Sequence, residues 1–182
     1  MGNYERISDA NVITQKYMDS ILIESRYIDS VKADTGIEFL GEKFSMPVMT
    51  PAFSHLGKYG GREKNGLVEY SEAAKELNIL NFCGMMENEQ FKELVDTGAK
   101  TVRIVKPYAD NGKIKDQMQF AESVGAFGIG MDIDHIFGND GYDVVVGEEM
   151  SFQTTDMLRA YVELTKLHFI VKGVLSVSDA VK

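Results

Sequence analysis

Residues 101–134 read TVRIVKPYADNGKIKDQMQFAESVGAFGIGMDID, and this stretch decides the fold class. It contains two short apolar runs, 101–105 and 127–133. Between them, apolar residues recur at helical spacing, namely Ile114, Met118, Ala121 and Val124. Strands that are apolar on both faces are typical of parallel sheets with helical crossovers. The stretch therefore predicts a β-α-β unit of a parallel sheet.

The same alternation continues on both sides of this unit. Further strands are predicted at 47–52, 79–83 and 169–171. The helices between them are predicted from the apolar positions Leu67, Tyr70, Ala74 and Leu77, from an N-cap at Asn88 with a helix through Val95, from Leu158, Tyr161, Val162 and Thr165, and from a helix opening at Ser178-Asp179-Ala180. Five strands fit either an open doubly wound sheet or part of a (β/α)₈ barrel, which needs roughly 250 residues to close.

The residues before the first of these strands follow a different pattern. A helix is predicted over 11–28, and two short extended runs around Gly41-Glu42 predict a hairpin over 37–44. We therefore expect residues 1–45 to form a helix and hairpin extension, and residues 46–182 to form one α/β domain.

Composition and charge exclude several functions. Apolar residues make up 44% and charged residues 26% of the 182 positions, with no run long enough for a membrane span. A net charge of −9 disfavours binding to nucleic acid. The single cysteine, Cys83, cannot form an internal disulfide, which favours a cytoplasmic protein.

Functional groups of such folds gather at the carboxyl ends of the strands. The residues at these positions are Ala52, Phe53, Ser54 and His55, then Cys83, Gly84 and Met85, then Lys106, then Asp132, Asp134 and His135, and finally Lys172. Lys106 and Lys172 are the most unusual, because a lysine that follows an apolar strand is costly unless it meets an anion or reaches solvent. A metal on Asp132, Asp134 and His135 is not expected, because no further ligands cluster nearby. The glycine-rich loop 55–62 could hold phosphate with its amides, but it matches no known phosphate-binding fingerprint.

Several segments, in this order and spacing, resemble the FMN-dependent α-hydroxy-acid oxidases and dehydrogenases. The resemblance covers nearly the whole chain, and it is carried by Arg26-Tyr27-Ile28-Asp29, Phe39-Leu40-Gly41 with Lys43, Phe44-Ser45-Met46-Pro47-Val48-Met49, Ile104-Val105-Lys106-Pro107, Met131-Asp132-Ile133-Asp134, and Phe169-Ile170-Val171-Lys172-Gly173-Val174 with Ser178-Asp179-Ala180. The segments around Lys106 and Asp132 resemble a short bacterial branch without the long insertion of lactate and glycolate oxidases. The resemblance implies a TIM (β/α)₈ barrel fold with about five of the eight βα units in these 182 residues.

The resemblance also implies FMN as cofactor and a small 2-hydroxy acid as substrate. Lys172 matches the lysine at the flavin N1 and O2 edge, and Ala52, Phe53 and Ser54 match the first-strand backbone beside flavin N5. The chain departs from the family at four positions. Gly84 or Met85 stands where a serine is usual, Asp132 where a threonine is usual, Ile104 where a glutamine is usual, and Lys106 where a substrate-binding tyrosine is usual.

The family's catalytic histidine and arginine lie one strand beyond Lys182. We therefore expect a truncated portion that is inactive alone and that either forms a homo-oligomer or binds a complementing C-terminal half of the barrel. Two other readings stay open: a Schiff-base aldolase that uses Lys172, and a non-catalytic barrel remnant that acts as an assembly module.

Overall fold

A computed structural model describes residues 10–57, 64–135 and 138–182, and these fall into two compact units, 1–34 and 35–182. In the first unit, helix α1 spans Ala10–Asp19 and ends well before the predicted residue 28. The hydroxyl of Ser20 donates to the carbonyl of Tyr17 at 2.6 Å, and the β-branched Ile21 and Ile23 that follow have a lower helix propensity than Leu22 between them. These two features explain why the predicted helix was too long.

The predicted hairpin opens the second unit and is confirmed. Strand β1 spans Ile37–Phe39, β2 spans Glu42–Phe44, and they pair antiparallel. Leu40 and Gly41 form the turn, and both have positive φ. The boundary predicted at residue 45 stays a prediction, although the compact unit begins at Thr35 and includes the hairpin.

A four-stranded parallel sheet forms the centre of the second unit. Its strands, in sheet order, are β3 (Asn81–Cys83), β4 (Thr101–Val105), β5 (Gly128–Asp132) and β8 (His168–Lys172). The helices between the strands are α2 (Gly66–Leu77), α3 (Asn88–Asp96), α4 (Asn111–Ser123) and α5 (Thr155–Glu163), and α6 (Val177–Ala180) follows β8. The short antiparallel strands β6 (Tyr142–Asp143) and β7 (Glu148–Glu149) lie in the loop after β5. The predicted β-α alternation is thus confirmed.

The first predicted strand, 47–52, is reduced to two isolated parallel bridges beside β3, Met49 with Leu80 and Phe53 with Cys83. Four residue steps on one side face three on the other, so one residue is extra, as in a bulge. Pro51 lies between the bridges and has no N–H for a ladder. Thr50 still joins this segment to β3, because its N–H donates to Leu80 at 3.1 Å and its hydroxyl accepts from the N–H of Phe82 at 2.7 Å.

The two faces of the sheet have different cores. The helix-facing side packs Cys83, Val105, Ile129 and Met131 against residues of α3, α4 and α5. On the opposite face, Leu80, Val102 and Ile104 pack against Phe44 of the hairpin. The Phe44 ring meets the Phe127 ring edge-on at 6.3 Å, beside the amino end of β5. The hairpin therefore covers the amino ends of the strands and leaves their carboxyl ends accessible.

A glycine lets this second face close tightly. Gly130 pairs with Ile104 on one side and Ile170 on the other. A Cβ at Gly130 would lie 2.4 Å from the carbonyl oxygen of Ile170 and 2.7 Å from Cδ1 of Ile104. Because Gly130 has no side chain, the Ile104 side chain can occupy the space beside it.

Two predicted helix starts were wrong by one residue each. Glu87, not Asn88, is the N-cap of α3, and the Asn88 amide instead accepts a hydrogen bond from Arg103 at 2.7 Å. Helix α6 begins at Val177, one residue before the predicted opening at Ser178, and Ser176 caps it by accepting the N–H of Asp179.

Candidate functional site at the carboxyl ends of the strands

A row of alternating charges crosses the carboxyl ends of three neighbouring strands. Val102, Gly128 and His168 are paired in register, as are Ile104, Gly130 and Ile170. Two residues further along each strand come Lys106, Asp132 and Lys172. The Asp132 carboxylate accepts from Nζ of Lys106 at 2.6 Å through Oδ2, and from Nζ of Lys172 at 2.6 Å through Oδ1. The row therefore continues the apolar layers on the face of the sheet opposite the helices and forms their outermost layer.

The electrostatics of the row keep Asp132 ionised. Burial by itself raises the pKa of Asp132, but the hydrogen bonds that its carboxylate accepts from Lys106 and Lys172 outweigh burial and hold that pKa well below its usual range. The Asp132 side chain is 9% exposed and that of Lys106 is 15% exposed, so this pair is poorly screened by solvent. Asp132 therefore holds both ammonium groups in place as a fixed anion.

Lys172 is the more accessible of the two lysines, because its side chain is 42% exposed. Its Nζ also donates to Oδ1 of Asp134 at 3.2 Å. Burial lowers the pKa of Lys172, but the bonds to Asp132 and Asp134 more than offset burial and raise the pKa. Lys172 is therefore a charged ammonium at the edge of the site.

Gly173 allows Asp134 to reach this lysine. Its φ of +92° favours glycine, and a Cβ there would lie 2.3 Å from the Asp134 carboxylate. Asp134 follows β5 in a turn, so the carboxylate approaches Lys172 across the backbone of residue 173.

The other predicted cofactor residues meet at the neighbouring strand ends. The N–H of Gly84 donates to the carbonyl of Phe53 at 2.8 Å, and the N–H of Met85 donates to Oγ of Ser54 at 3.0 Å. A Cβ at Gly84 would lie 2.4 Å from Oγ of Ser54 and 2.9 Å from the carbonyl oxygen of Ala52. The structure thus brings residues 52–54 and 84–85 together.

Ile104, by contrast, lies one layer below the charged row. It is 2% exposed and packs in the apolar layer with Leu80 and Val102. Its side chain supports the site from beneath.

Sequence reasoning did not identify the partner of His135. The Nδ1 atom of His135 lies 3.1 Å from Nζ of Lys106, and its Nε2 atom contacts Oδ2 of Asp143, a buried carboxylate. The Oδ1 atom of Asp143 accepts the N–H groups of Val145 at 2.7 Å and Val146 at 3.0 Å. An acid directly before the run Val144-Val145-Val146 was the available signal.

A second buried charge was also missed. Arg103 is 1% exposed on the helix-facing side, where it donates to Asn88 and to the Met86 carbonyl at 2.7 Å each. It borders a cleft of about 760 Å³ that Met85 also lines. A charged residue inside the apolar run TVRIV was its signal.

Two other predictions concern ligands of different kinds. In residues 10–57, 64–135 and 138–182, no three His, Cys, Asp or Glu side chains cluster so that they could hold a metal. The phosphate-cradle reading of loop 55–62 falls mostly on residues 58–62, which lie outside the described residues. None of the helices in the described part of the chain has the length and apolar character that crossing a bilayer requires.

The four-stranded parallel sheet, with polar side chains at the carboxyl ends of its strands, is the arrangement expected of part of a (β/α)₈ barrel. Solved structures support this fold. Mandelate oxidase has a TM-score of 0.74 at 19% identity, over 93% of this chain and 55% of the oxidase chain. A mandelate oxidase variant with (S)-mandelic acid gives 0.74 at 19% identity, over 93% and 54%. A variant with a monooxide FMN adduct gives 0.69 at 19% identity, over 87% and 49%. The chain therefore spans about half the length of these barrels.

The family is shown by sequence. The family model "FMN-dependent dehydrogenase" matches residues 9–160, and the chain belongs to this family. No curated protein matches the chain. The predicted family, the barrel fold and FMN as the family's cofactor are thus confirmed.

Proposed function

We propose that this chain forms one wall of the FMN and substrate site of an oxidoreductase that acts on the CH–OH group of a small 2-hydroxy acid. The charged row Lys106–Asp132–Lys172 is the observation that carries the proposal. It lies at the end of the strands where barrel enzymes place their sites. Family membership gives the cofactor, and the solved relatives include an oxidase with (S)-mandelic acid.

The residues present fit a flavin. Two N–H donors of Lys172 bind Asp132 and Asp134, and its third has no partner among the described residues. An ammonium suits the electron-rich N1 and O2 edge of the ring. The backbone of 52–54 and 84–85 and the half-exposed Phe53 ring supply a surface at the adjacent strand ends. When bound, FMN would accept the hydride of the substrate at its N5 atom.

Lys106 is the proposed anchor for the substrate carboxylate. Its ammonium donates to Asp132 and to His135, so one donor is available for an anion. Asp132 and Ile104 are proposed to support the flavin site, Asp132 by holding both lysines and Ile104 by packing in the apolar layer below them.

The Schiff-base reading is disfavoured by the electrostatics. An amine nucleophile needs a lowered pKa. The carboxylates of Asp132 and Asp134 instead raise the pKa of Lys172. Among the residues that the structure describes, no specific contact favours the reading as a non-catalytic assembly module.

The free edge of strand β8 affects how the isolated chain is expected to bind FMN and to associate. Strand β8 pairs with β5 on one side and has no strand on its other side among the described residues. A free parallel edge is a template for another strand. We therefore expect weak FMN binding and no turnover by the isolated chain, and pairing with a second copy or with a complementing barrel half.

Flavin titration with anaerobic mixing tests these proposals. The purified chain is titrated with FMN, and binding is followed by flavin fluorescence. Bound flavin is then mixed with glycolate, lactate or mandelate without oxygen and monitored for bleaching. Weak, saturable binding without bleaching is expected. An absence of saturable binding would contradict the proposed site, whereas tightly bound flavin or steady oxidation would contradict the proposed inactivity of the isolated chain. A monomeric mass by light scattering would contradict self-pairing.

A further inference from the structure

His135 and Asp143 form a pair that reaches the charged row from the loop after β5. Imidazole Nε2 contacts the Asp143 carboxylate, and Nδ1 lies 3.1 Å from Nζ of Lys106. The imidazole side chain is largely buried, and Asp143 is anchored to the backbone of residues 145 and 146. The imidazole is thus held at both ends.

The chemistry of the two partners fixes the tautomer. A lysine ammonium has three donors and no acceptor, so Nδ1 of His135 must accept from Lys106 and carry no proton. The hydrogen bond from the N–H of Val146, together with those from His135 and Val145, lowers the pKa of Asp143 despite the opposing effect of burial. Nε2 therefore carries the proton and donates it to an ionised Asp143, as in other carboxylate–histidine pairs.

We infer that His135, oriented by Asp143, is the positioning residue for Lys106. The imidazole and Asp132 take two of the three ammonium donors and thereby aim the third at an anionic ligand. That this ligand is a 2-hydroxy-acid carboxylate rests on the proposed function, whereas the positioning itself does not.

The charges around the imidazole define when the arrangement holds. Lys106 and Asp143 contact the imidazole, and Asp132, Lys172 and Asp134 follow through hydrogen bonds. Protonation of Nδ1 would remove the acceptor for Lys106 and place two positive charges side by side. The neutral imidazole is therefore the form that positions Lys106.

Nuclear magnetic resonance of the unliganded full chain tests the tautomer directly. Long-range proton–nitrogen spectra of the histidine rings, assigned with the variants His55→Gln and His168→Gln, distinguish protonated from unprotonated ring nitrogens. We expect His135 to show an unprotonated Nδ1 and a protonated Nε2. The reverse tautomer, or a ring protonated on both nitrogens at neutral pH, would overturn the inference.

Two matched variants test the positioning of Lys106. Asparagine places an amide oxygen near the Nδ1 position, so His135→Asn keeps an acceptor for Lys106. Glutamine places its amide near the Nε2 position, so His135→Gln keeps a partner for Asp143 and loses that acceptor. The readout is the rate of reductive methylation of Lys106, measured by mass spectrometry without FMN.

We expect His135→Gln to raise the methylation rate of Lys106 about tenfold, the size of losing one hydrogen bond to a charged group. His135→Asn should stay near the wild-type rate. Equal rates in both variants, or no change in His135→Gln, would overturn the inference. The tautomer of the unmodified chain decides the matter if a variant fails to fold.

Protection by a ligand separates this inference from the proposed function. Glycolate should slow methylation of Lys106 in the wild-type chain if the proposed substrate class is right. A His135→Gln effect without glycolate protection would leave the positioning role standing and refute the substrate proposal. Protection by glycolate without any effect of His135→Gln would support the substrate proposal and refute the positioning role.

Discussion

Replacing Asp132 by asparagine should destabilise the chain more than the same substitution does in an exposed ion pair. The substitution keeps the shape of the side chain and removes the charge between two ammonium groups that lie 2.6 Å from it. The pair with Lys106 is largely buried, and losing the anion there should cost roughly 2–3 kcal/mol, since the amide oxygen still accepts one hydrogen bond. Lys172 is 42% exposed, so its share is screened to about 0.5 kcal/mol.

The sum is about 3 kcal/mol, a large part of the roughly 5–15 kcal/mol by which a domain is stable. Urea unfolding followed by circular dichroism measures the change, and thermal unfolding should show a midpoint lower by about 6–12 °C. The control is Asp156→Asn, because Asp156 is 92% exposed and lies 3.4 Å from Arg159. That variant should stay within about 0.5 kcal/mol of wild type. Equal effects of the two substitutions would refute the account of the charged row.

Protonation of Asp132 at low pH should remove the same contribution to stability as the substitution does. The folded state depresses the pKa of Asp132, so its contribution to stability is complete above the unfolded pKa of about 3.9 and is lost as the pH falls through the lower folded pKa. The difference in free energy of unfolding between wild type and Asp132→Asn should therefore be constant near pH 7 and shrink below about pH 4. A difference that grows as the pH falls would contradict this assignment.

Two further predictions concern the buried cores on the two faces of the sheet. Burial raises the pKa of Cys83 to about 12, so an aromatic disulfide reagent should modify it roughly a thousandfold more slowly in the folded chain than in urea; comparable rates would contradict its burial. Gly130→Ala should destabilise the chain by about 1–3 kcal/mol in urea unfolding, because its Cβ would lie 2.4 Å from the carbonyl oxygen of Ile170. Gly57→Ala, where nothing lies within 4 Å of the new atom, is the control and should be neutral; equal effects would contradict the close packing.

The middle of the chain could be predicted well because local pattern and tertiary structure agree there. The run Thr101–Val105 was predicted with its observed bounds, and helix α4 buries Ile114, Met118 and Ala121 as its spacing indicated. The strand around Pro51 and the end of α1 were less predictable. The strand is interrupted at Pro51, which has no backbone N–H. Helix α1 ends where the Ser20 hydroxyl binds the Tyr17 carbonyl and β-branched residues follow.

The sequence indicated the charged residues of the candidate site but not the contact between His135 and Asp143. Strand-end position alone indicated Lys106, Asp132 and Lys172, because the carboxyl ends of parallel strands lie together. Asp143 lies eight residues after His135 in a loop that contains β6 and β7. Neither helix nor strand periodicity predicts a contact between the two. Its burial depends on how that loop folds, which local pattern does not encode.

The most direct measurement is the affinity for FMN of two lysine variants at opposite ends of β8. Lys172→Met removes the ammonium at the carboxyl end of the strand, whereas Lys166→Met removes an exposed ammonium before its amino end. Chemical-shift titration of the full chain with FMN gives each dissociation constant even when binding is weak. We predict that Lys172→Met weakens binding about tenfold and that Lys166→Met leaves it unchanged. Equal affinities of the two variants, or a larger loss in Lys166→Met, would contradict a flavin site at the charged row.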